Sequence, residues 1–84
     1  MRNASAVALR QGLERSRWTA TDLWRAALGV GGAFSTEKVE GFASGQQDAT
    51  AVEHVILAAT INDHLSDVGL DPVVPYWADL APRL

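Results

Sequence analysis

The chain has 84 residues, of which 48% are hydrophobic and 20% charged, and a net charge of −3 at pH 7. This length allows one small domain, and the composition excludes a chain that is disordered throughout or a membrane protein. The charge is uneven, because residues 1–25 carry five arginines against two acidic residues, whereas residues 26–84 carry two basic residues against eight acidic ones. The acidic part repels phosphate backbones. The absence of cysteine excludes disulfides and thiolate metal sites.

Residues 1–17 have only a loose helical pattern and are expected to form an arginine-bearing N-terminal arm, with or without helical structure. The apolar run in this arm is interrupted by Arg10 too early for a secretory signal, which favours a cytoplasmic protein. A single compact helical domain is expected to follow over residues 18–84.

Two short helices are predicted next, each with its own capping residue. Thr19 caps a helix over residues 20–28, and Gly29 ends it before a glycine-rich link. Ser35 caps a second helix over residues 36–44, which ends at Gly45. The apolar residues of the first helix recur at helical spacing and form one buried face: Ala20, Leu23, Trp24, Ala27 and Leu28.

The longest predicted helix covers about residues 51–68 and begins with a capping box of Thr50 and Glu53. Its apolar residues lie on two faces, so the helix is expected to be central rather than to rest on one layer. One face holds Val52, Val55, Ile56 and Ala59, and the opposite face holds Leu57, Ala58, Ile61, Leu65 and Val68. Pro72 and Pro75 then predict an extended segment, called the strap here (residues 71–77), that lies against the core.

The predicted fold is therefore all-α, a three- to four-helix domain with a long central C-terminal helix and a proline-containing strap. Such a short chain offers little cover for the second face of the long helix, and exposing it would cost several kcal/mol. A homodimer is the simplest source of cover, with Leu57, Ile61 and Leu65 as the expected dimer interface and Asn62 as its polar pin. The rival is a single chain whose arm folds back.

No catalytic, metal or cofactor site is predicted. His54 and Asn62 lie in or beside the apolar arc, whereas His64 lies on the solvated strip, so these three cannot converge on one metal ion. Asp63, His64 and Ser66 point in different directions on a helix and cannot act as a catalytic triad. The glycine-rich link lacks the lysine and hydroxyl residue of a phosphate loop.

Aromatic residues are the expected contacts to an unknown protein partner. Trp24 is assigned to the core by its spacing. Trp18, at the entrance of the first capped helix, and Tyr76 with Trp77 in the strap are each either packing residues or partner anchors. The chain is thus interpreted as a small non-catalytic interaction or regulatory module.

Two alternatives stay open. The three helices over residues 20–68 can form a degenerate helix-turn-helix regulator. Its recognition helix would lack base-reading side chains, so nucleic acid would be bound by the arm through Arg2, Arg10, Arg15 and Arg17. The other alternative is a small-ligand sensor with a pocket near Trp24 and His54.

One resemblance covers roughly residues 19–76. It is carried by a series of helix-core residues, turns and one asparagine: Leu23, Trp24, Leu28, Gly31, Gly32, Val39, Glu40, Phe42, Gly45, Ala59, Ile61, Asn62, Asp63, Leu65, Val74, Pro75 and Tyr76. In this series the chain resembles small uncharacterised all-helical proteins of high-GC Gram-positive bacteria. The resemblance implies a compact helical unit with a regulatory or assembly role, and it implies no activity.

Overall fold

A computed structural model describes residues 4–29 and 34–80. Within these residues the chain forms four α-helices and no strand, which confirms the all-α prediction. The helices are α1 (Ala4–Ser16), α2 (Ala20–Leu28), α3 (Thr36–Ser44) and α4 (Ala51–Asp67), and a 3₁₀ turn follows at Trp77–Leu80. The glycine-rich link at residues 30–33 lies outside the described residues.

Side-chain caps fix where three of the helices begin. The Thr19 hydroxyl accepts from the Asp22 amide, and the Asp22 carboxylate accepts from the Thr19 amide in return. Ser35 caps α3 by accepting from the Lys38 amide at 3.1 Å. Thr50 and Glu53 form the predicted capping box at the start of α4, with bonds of 2.8 and 3.2 Å. Each cap satisfies amides that have no partner inside the helix, so the helix starts are encoded locally.

The helices pack around one core. α1 and α2 each contact both α3 and α4. Phe42 of α3 and Leu23 of α2 are among the largest fully buried side chains. The same group includes one leucine of α1 and two leucines and one isoleucine of α4. Within the part of the chain that the structure describes, no helix is long and apolar enough to cross a bilayer.

The expected boundary at residue 17 does not separate two bodies. Residues 4–16 are helical, and Leu9 and Leu13 of α1 belong to the same core cluster as Leu57 and Ile61 of α4. The arm therefore folds back onto the domain and contributes to its stability through buried apolar surface.

The expected dimer interface is wrong for the same reason. Leu57, Ile61 and Leu65 are fully buried inside one chain, and Asn62 is buried beside them. α1 and the strap supply the cover that the sequence seemed to lack. The opposite face of α4 is the one left open, since Val52 is 68% exposed and Val55 is 39% exposed.

Candidate functional site

The strap is anchored by the side chain of Asn62. The Asn62 amide nitrogen donates to the Val74 carbonyl oxygen at 2.9 Å, and the Val74 amide donates to Asn62 Oδ1 at 3.0 Å. Both backbone groups of Val74 are thus satisfied by one side chain, as they would be by a neighbouring strand. Asn62 is therefore a clamp within one chain and not a pin between two chains.

His54 makes a second contact to the strap. Its Nε2 lies 2.8 Å from the carbonyl oxygen of Pro75, and its Nδ1 lies 2.7 Å from the hydroxyl oxygen of Ser5. A carbonyl oxygen can only accept, so Nε2 carries the hydrogen, and Nδ1 of the neutral ring accepts from Ser5. The fully buried imidazole thereby joins α1, α4 and the strap.

Gly12 of α1 makes room for the strap. A Cβ atom at this position would overlap Cγ2 of Val74 and would lie 3.2 Å from Cγ2 of Ile61. Real Cβ atoms essentially never approach another heavy atom as closely as this one would approach Val74, so glycine is what allows Val74 to sit against the backbone of α1. Val74 is buried as a result.

These contacts leave two aromatic side chains of the strap in solvent. Tyr76 is 44% exposed and Trp77 is 41% exposed, and the Trp77 ring meets the His54 ring edge-on at 5.9 Å. A shallow groove of about 300 Å³ lies between α1 and the segment that includes Pro75, the residue before Tyr76. Its lining is mainly apolar and consists of Ala4, Val7, Ala8, Gln11, Pro75 and Leu80. An anchored aromatic pair next to an apolar groove is the strongest candidate for a binding site.

Trp18 does not belong to this surface. Its ring stacks on His64 at 4.1 Å and packs against the core. Trp77 contacts His54, whereas Trp18 contacts His64, which lies ten residues further along α4. Ten residues correspond to about 15 Å along the helix, so the two tryptophans are well separated. Of the three expected partner contacts, the structure brings together Tyr76 and Trp77, whereas Trp18 serves as a packing residue at the α2–α4 side.

The arginines of the alternative nucleic-acid reading are spread over α1 and its end. Arg10, Arg15 and Arg17 are exposed, and Arg2 lies outside the described residues. Arg17 has a φ of +60°, which places it in the turn after α1 rather than on the helix. Because α1 is bound to the core, Arg10 and Arg15 project from a packed helix and not from a free arm.

Two carboxylates are tuned by the caps. The Thr50 amide that donates to Glu53 lowers the pKa of this carboxyl group. Burial opposes this effect, and Lys38, whose Nζ lies 3.1 Å from the carboxylate, lowers the pKa further. The Thr19 amide likewise lowers the pKa of Asp22. Both shifts are explained by helix capping and do not indicate catalysis.

The structure also contains a serine–histidine pair that the sequence analysis missed. Ser5 and His54 are 49 positions apart, and both are buried. His54 uses its second nitrogen on a backbone carbonyl and not on a carboxylate, so the pair has the geometry of a structural link. Among the described residues, no group of three His, Cys, Asp or Glu side chains is placed to hold a metal ion.

The expected sensor pocket near Trp24 and His54 is not assembled by these two side chains. Trp24 donates its indole N–H to the Phe34 carbonyl at 2.7 Å, whereas His54 bonds to Ser5 and Pro75. Comparison of the chain with protein-family models, with curated proteins and with solved structures finds no match.

Proposed function

We propose that this protein is a small non-catalytic interaction module that binds a protein partner through Tyr76, Trp77 and the adjacent groove. Large aromatic side chains dominate binding energy when they enter a pocket of the partner, because they bury much area with few rotatable bonds. Such a module would regulate or assemble whatever carries the matching pocket.

The observation that carries the proposal is the way in which the strap is held. Asn62 and His54 are buried polar residues that hold the backbone of the strap: Asn62 bonds to both backbone groups of Val74, and His54 donates to the Pro75 carbonyl oxygen. The backbone before Tyr76 is therefore fixed before any partner arrives. Binding then loses less conformational entropy than it would with a loose tail, which favours affinity.

The test begins with site-specific photocrosslinking in the native host. A benzoylphenylalanine residue at position 77 is compared with the same residue at position 68, because Val68 is also exposed, at 54%, but lies at the end of α4. The proposal predicts a discrete crosslinked protein for position 77 only. Capture alone does not decide the matter, so the partner is then purified and its affinity measured.

Substitution of the two aromatic residues provides the decisive measurement. We expect Y76A and W77A each to weaken binding of the purified partner by about tenfold or more, whereas V68A changes it by less than about twofold. Equal binding by wild type and W77A would refute the proposal. The regulator alternative predicts instead that the protein binds random duplex DNA with a steep dependence on salt, and that Arg10→Glu and Arg15→Glu weaken this binding.

A further inference from the structure

His54 is a titratable residue enclosed in the fold with both of its ring nitrogens in use. It is fully buried, Nε2 donates to the Pro75 carbonyl oxygen, and Nδ1 accepts from the Ser5 hydroxyl. These two bonds use every hydrogen-bonding group of the neutral imidazole. A proton added at Nδ1 would remove the acceptor and force the Ser5 hydroxyl, which is also buried, to turn its hydrogen elsewhere. The closed position of the strap is therefore built around the neutral ring.

The surroundings of His54 offer no counter-charge to an imidazolium. The ion pairs of the described residues join Arg25 to Asp22 and Lys38 to Glu53, so neither includes His54. Other charged side chains on the elements around the ring are exposed to solvent: Arg10, Glu14 and Arg15 of α1, Asp48 before α4, Asp71 of the strap and Asp79 of the 3₁₀ turn. A buried charge that lacks an ionic partner is strongly disfavoured relative to the same charge in water.

Two helix N-termini make the site still less favourable to a positive charge. His54 is the fourth residue of α4, and Ser5 is the second residue of α1. The first turn of a helix carries the positive end of its dipole. Glu53 offsets part of this effect at α4, but its carboxylate is already bonded to the Thr50 amide and to Lys38. A protonated ring at this position would be stabilised better by water than by the protein.

We propose that protonation of His54 releases the strap and thereby weakens the partner surface formed by Tyr76 and Trp77. The Pro75 carbonyl and the Trp77 ring contact the imidazole from the strap side. When the strap lifts, the imidazolium is hydrated, and the two aromatic side chains lose the fixed backbone that presents them. This regulation rests on the proposed function, whereas the release itself is a property of the chain alone.

The strap is the element over the ring that yields most readily. Val74 is the buried residue of the strap, and its neighbours on both sides are exposed or half-buried. The link from α4 includes Gly69, which has a φ of +81° and open space around it. α1, by contrast, is held by Leu9 and Leu13 in the core cluster. Local opening follows the segment with the fewest buried apolar contacts, so the strap moves and α1 stays.

The uptake of one proton sets the size of the effect. An imidazole in water is half protonated at about pH 6.5, and the closed strap accommodates the neutral ring only. The released form therefore binds more protons, so closure is favoured as the pH rises and is lost as the pH falls. For one such proton, the ratio of released to closed molecules rises about tenfold between about pH 7.5 and about pH 5.5.

Amide hydrogen exchange of the full chain, followed by NMR, measures this release without any partner. The Val74 amide donates to Asn62 Oδ1 at 3.0 Å, so its exchange reports the closed strap. We expect its protection factor, which is corrected for the intrinsic effect of pH, to fall about tenfold over this pH range, while that of the Leu13 amide in α1 changes by less than about twofold. A constant factor at Val74 would overturn the inference. An equal fall at Leu13 would also overturn it, because the whole domain would then be unfolding.

The two histidines of the chain provide a matched pair of variants. H54Q keeps an N–H donor for Pro75 and an oxygen acceptor for Ser5 but takes up no proton in this range, so the protection of Val74 should become independent of pH. H64Q removes the other imidazole, which stacks on Trp18, and should leave the tenfold fall unchanged. A pH dependence that persists in H54Q or disappears in H64Q would contradict the role of His54.

Nitrogen NMR of the histidine rings in the wild-type chain tests the same inference without a substitution. At about pH 7.5, His54 should be the tautomer that carries its hydrogen on Nε2. Its Nδ1 should gain a proton over the same pH range in which Val74 loses protection. The opposite tautomer, or protonation without loss of protection at Val74, would overturn the inference. These measurements use the chain alone, so their failure is distinct from failure of the proposed function, which would appear as equal partner binding by wild type and W77A.

Discussion

Gly12→Ala should destabilise this protein even though alanine is the better helix former. In a helix interior, alanine is favoured over glycine by about 1 kcal/mol. Here the added methyl group would overlap Val74 Cγ2, and the backbone of Val74 cannot move aside freely because Asn62 holds it. Displacing Val74 forfeits about 1.5–3 kcal/mol of burial, together with about 1 kcal/mol for each strained hydrogen bond. With one or both bonds strained, the expected net loss in free energy of unfolding is about 1.5–4 kcal/mol.

The sign of this effect should reverse when Val74 is shortened. V74A alone removes two methyl groups from the core and should cost about 1.5 kcal/mol. In the V74A background the clash is relieved, Ile61 has only a few tenths of an ångström to yield, and Gly12→Ala should stabilise by about 0.5–1 kcal/mol. Urea unfolding followed by tryptophan fluorescence gives the free energy of unfolding of wild type, the two single variants and the double variant. The double-mutant cycle then gives the coupling energy between positions 12 and 74. A stabilising effect of Gly12→Ala in the wild-type background would refute the seating of the strap on α1.

Two further substitutions test the clamp and a cap. Asn62→Ala leaves the amide and carbonyl of Val74 without their partner and should lower the free energy of unfolding by about 2–3 kcal/mol; a loss below about 0.5 kcal/mol in urea titration would argue against the clamp. Glu53→Gln tests the pH dependence that follows from the lowered pKa of Glu53. Because that pKa lies below its value in the unfolded chain, the contribution of Glu53 is present above about pH 4.5 and is lost as the pH falls through the folded-state pKa. The variant loses the ion pair with Lys38 and should therefore be less stable than wild type by about 0.5–1 kcal/mol at pH 7. This difference in stability should shrink as the pH is lowered, and thermal unfolding at several pH values measures it.

The helix starts were predictable from sequence because they depend on neighbours. A hydroxyl residue at Thr19, Ser35 or Thr50 bonds to an amide three positions later, and this bond needs no information from elsewhere in the chain. The all-α class and the length of α4 follow from the same local signals together with apolar spacing.

The choice of which face of α4 is covered was not predictable in this way. Both faces are apolar, and the outcome depends on whether α1 and the strap can reach the second face. They reach it because Gly12 admits Val74 and because Asn62 completes the hydrogen bonds of the strap backbone. These contacts join positions 12 to 62 residues apart, and no periodicity within a single segment reports them. The same limit explains why Asn62 was assigned to a dimer interface and why the Ser5–His54 pair was missed.

The meeting of α1 with α4 has a consequence during synthesis of the chain. α1 is the first described helix to leave the ribosome, yet the core that buries Leu9 and Leu13 is complete only when α4 arrives some forty residues later. Until then the nascent chain carries an amphipathic helix with an open apolar side, and Asn62 must appear before the strap has anything to bind. Productive folding therefore starts only when nearly the whole described chain has been translated. Chaperones and proteases have their best access to the unfolded chain before that point.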